Sequence, residues 1–169
     1  MPITLTPEPL TAAAFEPFGD VIEATDSARK MTINSGFAER FHALARVDLG
    51  NTDGGALINI FRAVPRFLPF YLSLLERHPL GSQAYMPLAP HPYVVVVAPG
   101  DAAPDITAMR CFLARPSQGV NYARGTWHHP LLCLYAVCDF MVVDRGGAGH
   151  NLDEFLLPDL AYQIKAAPG

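Results

Sequence analysis

Short apolar runs, broken every few residues by proline or glycine, follow one another along the whole chain. Segments 19–22, 41–49, 56–63, 93–98, 131–143 and 155–157 concentrate Val, Ile, Leu and aromatic side chains between turn-forming residues, so each is expected to be a β-strand. Sixteen prolines and 13 glycines leave little length for helices. One short helix is expected to open at Thr11, its N-cap, before Ala12-Ala13-Ala14-Phe15. Tyr93-Val94-Val95-Val96-Val97-Ala98 is apolar at every position instead of every second one, the pattern of a strand covered on both faces. A second layer or a partner copy must then lie over one of those faces.

Composition narrows the picture. With 169 residues, half of them hydrophobic (50%) and 17% charged, the chain suits a single domain over residues 1–169. Such a chain buries roughly two thirds of the surface that its unfolded form exposes. Twelve Lys and Arg against 16 Asp and Glu give a net charge of -4, which offers a polyanion no footprint, so nucleic acid is not an expected partner. A small anion is still within reach, because one or two arginines can bind a carboxylate whatever the mean charge. Residues 1–10 lack the basic start and apolar core of a signal peptide, and no apolar run approaches the roughly 20 residues that span a bilayer. The expectation is a cytoplasmic protein with no membrane partner. Cys111, Cys133 and Cys138 have no C-x-x-C spacing and read as buried reduced thiols.

Two polar clusters interrupt this apolar background. In the first, residues 74–88, Glu76 and His78 project from one face if the segment is extended. Pro79-Leu80-Gly81-Ser82 supplies turn chemistry that can bring Gln83 back beside them. The second, residues 118–131, carries Asn121, Tyr122, Arg124, Trp127 and the adjacent pair His128-His129. Neighbouring residues of an extended chain point to opposite faces, so one histidine of the pair enters a given pocket and the other faces away. Pro130 favours that extended conformation at His129.

These spacings resemble the two metal-binding motifs of cupins. Glu76, His78 and Gln83 stand at the relative positions one, three and eight of the first motif, and Gly125-x-x-His128 is similar to the end of the second. Glu and Gln replace the usual His and Glu, and Ala123 stands where a proline is usual. The longer strings are more specific. Phe15-Glu16-Pro17-Phe18-Gly19-Asp20-Val21-Ile22, residues 75–88, residues 118–131 and Asp139-Phe140-Met141-Val142-Val143-Asp144-Arg145 together resemble the ureidoglycolate lyase family, from about residue 3 to about residue 160. The resemblance implies a mainly β, cupin-like double-stranded β-helix or jelly-roll barrel with a few short helices, assembled as a homodimer. It also implies a lyase of purine-nitrogen salvage that cleaves (S)-ureidoglycolate to glyoxylate and urea with a divalent metal, often nickel. The metal ligands would be Glu76, His78, Gln83 and His128, and the catalytic candidates His128, His129, Arg62 and Tyr122.

Several residues keep two readings at this point. Arg62 interrupts an apolar strand and either clamps the substrate carboxylate or forms an ion pair at a strand edge or dimer interface. Tyr122 and Tyr85 orient substrate or simply pack, and Trp127 belongs to the core. Asp139 is either a general base of raised pKa or the partner of a histidine. Asp144-Arg145-Gly146-Gly147-Ala148-Gly149 reads as a surface loop. The competing functions are an amidohydrolase releasing ammonia, another cupin enzyme such as an isomerase, and a non-catalytic cupin-like module that binds a small acid.

Overall fold

The computed structural model describes residues 1–50 and 53–165. Its regular structure is mainly β-strand. A seven-stranded sheet runs in the order Asp153–Leu156, Leu74–Arg77, Trp127–His128, Tyr93–Ala98, Arg110–Ala114 and Glu8–Pro9, with Leu132–Cys133 also paired to Tyr93–Ala98. Facing it is a five-stranded sheet in the order Gly19–Ile22, Gly119–Tyr122, Gln83–Pro87, Cys138–Gly146 and Gly55–Ala63. The arrangement is cupin-like, as expected from the sequence.

Tyr93–Ala98 explains why this strand carries no polar residue. Tyr93, Val95 and Val97 enter a core between the two sheets, against Tyr85, Val120, Phe140 and Val142. Val94, Val96 and Ala98 enter a second core with Leu72, Leu75, Trp127 and Ile164. The second core is closed by a small third sheet in which Tyr162–Ile164 lies between Ile3–Leu5 and Phe70–Tyr71. The expected second layer therefore comes from the chain itself.

The short helix Ala12–Phe15 forms where expected, and the Ala14 amide donates to Thr11 Oγ1 at 3.2 Å. Phe15 anchors it in the first core. Strands Gly19–Ile22 and Tyr93–Ala98 have the expected bounds, and Gly55–Ala63 starts one residue early. Two expected strands are shortened or split. Segment 41–49 contributes only Phe41 to the strand Ala38–Phe41, because Ala43 adopts a positive φ of 56° and the chain leaves the sheet. Segment 131–143 breaks between Leu132–Cys133 and Cys138–Gly146, with Tyr135 at φ 70°, so one apolar run serves both facing sheets. The C-terminal residues 166–169, expected to fray, lie outside the described residues.

Candidate active site

A strand pairing and a turn bring the polar clusters together. Leu74–Arg77 pairs with Trp127–His128 so that Glu76 stands opposite His128. The chain then turns through residues 79–82 and enters the facing sheet at Gln83. Asn151 holds this turn through its side chain, whose Oδ1 accepts from the Leu80 amide at 2.8 Å. The two clusters are also joined through the backbone, where Gly125 N–H donates to the His78 carbonyl at 2.9 Å.

The outcome is a nest of groups that all offer lone pairs. The ligand atoms of Glu76, His78 and His128 lie within 4.8 Å of one another. His78 Nδ1 is 2.7 Å from the Asn151 carbonyl, which can only accept, so Nδ1 carries the proton and Nε2 presents a lone pair. That lone pair faces Gln83 Oε1 at 3.0 Å. The same oxygen accepts from the Tyr85 hydroxyl at 2.6 Å, and Gln83 Nε2 points to Asp144 Oδ2 at 3.5 Å, which fixes the amide orientation. His128 repeats the pattern: Nδ1 is tied to the Thr126 carbonyl at 2.9 Å, while the buried Nε2 has no hydrogen-bond partner among the described residues. It faces Glu76 Oε1 at 3.4 Å, an ion-pair distance without an aligned hydrogen bond.

An imidazole lone pair against an amide oxygen, with a second imidazole lone pair and a carboxylate alongside, is repulsive unless a positive charge lies among them. A proton or a metal ion meets that need. Histidines that donate Nδ1–H to backbone carbonyls and aim Nε2 inward are the arrangement by which proteins orient metal-binding imidazoles. The donor set of two imidazole nitrogens, a carboxylate and an amide oxygen fits a divalent transition metal. Burial pushes the Glu76 carboxyl up, but the neighbouring His128, with smaller contributions from His78 and His129, outweighs it and leaves the group below its ordinary value. Glu76 is therefore ionised at neutral pH.

The adjacent histidines separate as extended backbone requires. His128 enters the site, whereas His129 ties Nδ1 to the Pro130 carbonyl at 2.7 Å and meets Phe70 edge-on at 5.6 Å. Burial lowers the His129 pKa from 6.5 to about 4, so its ring is neutral. Tyr122 is fully buried and lies flat against His128, with ring centroids 4.0 Å apart and planes 12° apart. Desolvation raises its pKa well above the ordinary phenol value. Its contact with the site is through the ring face.

Glu76 and Tyr85 open into a cavity of about 410 Å³, whose rim includes Phe61, Arg62, Arg66 and Leu131. Arg62 reaches this rim, but both arms of its guanidinium are held by Asp139, Nε to Oδ1 and Nη2 to Oδ2, each at 2.8 Å. This is the ion pair of its second reading. Asp139 is corrected accordingly: the Arg62 guanidinium holds its carboxyl below the usual range, and the partner is an arginine, not a histidine. Asp144 and Arg145 also depart from expectation, since both belong to Cys138–Gly146 and not to a surface loop. Asp144 Oδ1 accepts from Asn59 Nδ2 at 3.1 Å, and the buried Arg145 reaches the carbonyls of Leu49 and Ala148. Trp127 is in the core as expected, and all three cysteines are buried and free.

Sequence reasoning missed Asn59, Asn151 and Arg66. Asn151 acts partly through its backbone carbonyl, which carries no residue signature, and Arg66 stands in a loop with no motif around it. Asn59 had a signal, being the polar position of Ile58-Asn59-Ile60 in an otherwise apolar strand.

The sequence is similar to those of named proteins. The family model for ureidoglycolate lyase matches residues 2–165. The chain belongs to the ureidoglycolate lyase family. It is 57% identical to a ureidoglycolate lyase of Burkholderia mallei over 157 residues, covering 92% of this chain and 91% of that protein. A ureidoglycolate lyase of Brucella melitensis is 52% identical over 162 residues, 96% of this chain and 95% of the relative. One from Pseudomonas syringae pv. tomato is 52% identical over 151 residues, 89% and 88% of the two chains. For this member of the ureidoglycolate lyase family, the matched region contains every residue of the site described above.

Proposed function

We propose that the chain is a ureidoglycolate lyase that cleaves (S)-ureidoglycolate to glyoxylate and urea in purine-nitrogen catabolism. Family membership supports the substrate, and the crowd of lone pairs around His78 Nε2 is the observation that carries the site. Ureidoglycolate holds a hydroxyl and a ureido nitrogen on one carbon beside a carboxylate. Cleavage removes the hydroxyl proton, forms the aldehyde C=O, breaks the C–N bond with its electron pair going to nitrogen, and returns a proton to that nitrogen. No water is consumed, which is why the reaction is a lyase step.

Glu76 is the one carboxylate among the described residues that line the cavity, and it is ionised. In this reading the carboxylate oxygen of Glu76 that is not engaged by the metal would take the hydroxyl proton and return it to the departing nitrogen. His78, Gln83 and His128, with Glu76, would hold the divalent metal. When bound, such an ion lowers the pKa of a coordinated hydroxyl and offsets charge on the developing oxyanion. Tyr85 and Asp144 hold the Gln83 amide, and Tyr122 backs the His128 ring.

The active species is proposed to be a cytoplasmic homodimer of one-domain subunits. The nine-residue strand Gly55–Ala63 forms one edge of the five-stranded sheet and exposes Leu57, Ile58, Ile60 and Phe61, with Val64 just beyond. An apolar edge of this length invites a second copy. The decisive experiment incubates purified protein with ureidoglycolate and measures urea, glyoxylate and ammonia together. Equimolar urea and glyoxylate are expected, and ammonia without urea would refute the lyase reading in favour of an amidohydrolase.

A further inference from the structure

The cavity mouth carries two guanidinium groups with different commitments. Arg62 is held in plane by both oxygens of Asp139. Arg66 lines the same cavity, in the loop between Gly55–Ala63 and Phe70–Tyr71, and has no acidic partner among the described residues. Its backbone is pinned, because the Arg66 amide donates to the Cys133 carbonyl at 3.0 Å. Its guanidinium carbon lies 5.7 Å from the Phe70 ring centroid. Contact with an aromatic face holds an arginine head while its in-plane N–H donors stay available.

We propose that Arg66, rather than Arg62, binds the carboxylate of the 2-hydroxy acid substrate, leaving the hydroxyl and ureido groups to point inward toward Glu76. The assignment rests on the lyase reading and extends it to the residue that selects for the acid. The charge pattern agrees. Arg62 and Asp139 cancel at the rim, so among the described residues Arg66 is the cation of the lining that faces no acidic partner. A carboxylate held at Arg66 forms a charge-assisted and geometrically selective pair.

The test compares Arg66→Gln, Arg66→Lys and Arg62→Gln in the full chain, with circular dichroism to confirm folding. Arg66→Gln is expected to raise KM about 10–100-fold while kcat stays within about threefold, the loss expected for a charge-assisted contact made in both ground and transition states. Arg66→Lys recovers part of that loss, and Arg62→Gln raises KM less than about fivefold. Inhibition by glycolate and by its neutral amide, glycolamide, supplies a second readout. The wild type favours glycolate by about tenfold or more and Arg66→Gln loses the preference. An unchanged KM in Arg66→Gln, a larger effect at Arg62, or a preserved preference for glycolate overturns the assignment. Binding of glyoxylate by calorimetry separates the two claims. If the wild type binds it but releases no urea, the lyase reading fails while Arg66→Gln still tests the anion site; if glyoxylate does not bind either, both fail.

Discussion

The hydrogen bond from Tyr85 to Gln83 is the most direct probe of how the site is held together. Both residues are at least 95% buried, and the hydroxyl sits 2.6 Å from Gln83 Oε1, so neither group can turn to water when its partner is removed. Tyr85→Phe removes one donor and is expected to cost about 1–2 kcal/mol. Gln83→Leu is worse, because it strips partners from the Tyr85 hydroxyl and Asp144 Oδ2 at once. With each buried orphan costing about 1–3 kcal/mol, we expect roughly 3–4 kcal/mol in total. In a domain of this size that lowers Tm by about 10 °C. The double variant leaves no orphaned hydroxyl, so it is expected to be about 1–1.5 kcal/mol more stable than the sum of the singles predicts. Chemical denaturation of chelator-treated protein, at one protein concentration, measures all four corners of the cycle. Additivity within about 0.3 kcal/mol would refute the claim that these two groups are coupled.

Other consequences can be measured on the same preparations. Adding a divalent transition metal to chelator-treated protein is expected to raise Tm, with a stabilisation of about 2.7 kcal/mol at one hundred times Kd; His128→Ala is expected to remove most of this response, and an equal shift in the variant would exclude His128 as a ligand. His129, neutral in the fold with its pKa lowered from 6.5 to about 4, makes stability pH-dependent. The unfolded chain binds this proton first, so its contribution is complete above pH 6.5 and is lost as pH falls towards 4, by about 2 kcal/mol at pH 5. Metal-free His129→Gln is expected to show a correspondingly shallower loss between pH 6.5 and 5 in denaturant titrations, and parallel curves for the two proteins would refute the assignment.

The short apolar runs were sufficient to specify a mainly β chain, the doubly covered strand at residues 93–98 and the capped helix at Thr11, because periodicity and capping are local properties. Glu76, His78 and Gln83 could be grouped from spacing, since a turn between two strands reproduces its geometry wherever the residues recur, while His128 was joined to them only through the resemblance to the second cupin motif. What spacing could not decide was direction and pairing. His128 rather than His129 faces the site because of where Trp127–His128 pairs with Leu74–Arg77, a register between segments about 50 residues apart in sequence. Arg62 is committed to Asp139 because the Gly55–Ala63 and Cys138–Gly146 strands place the two directly opposite each other. Asp144 joined the site, and Arg145 the interior, only once their strand lay in the five-stranded sheet. Residue types along the chain carry the chemistry that is available; which groups meet is decided by long-range strand register, whose energy is spread over the whole core and leaves no mark at the residues concerned.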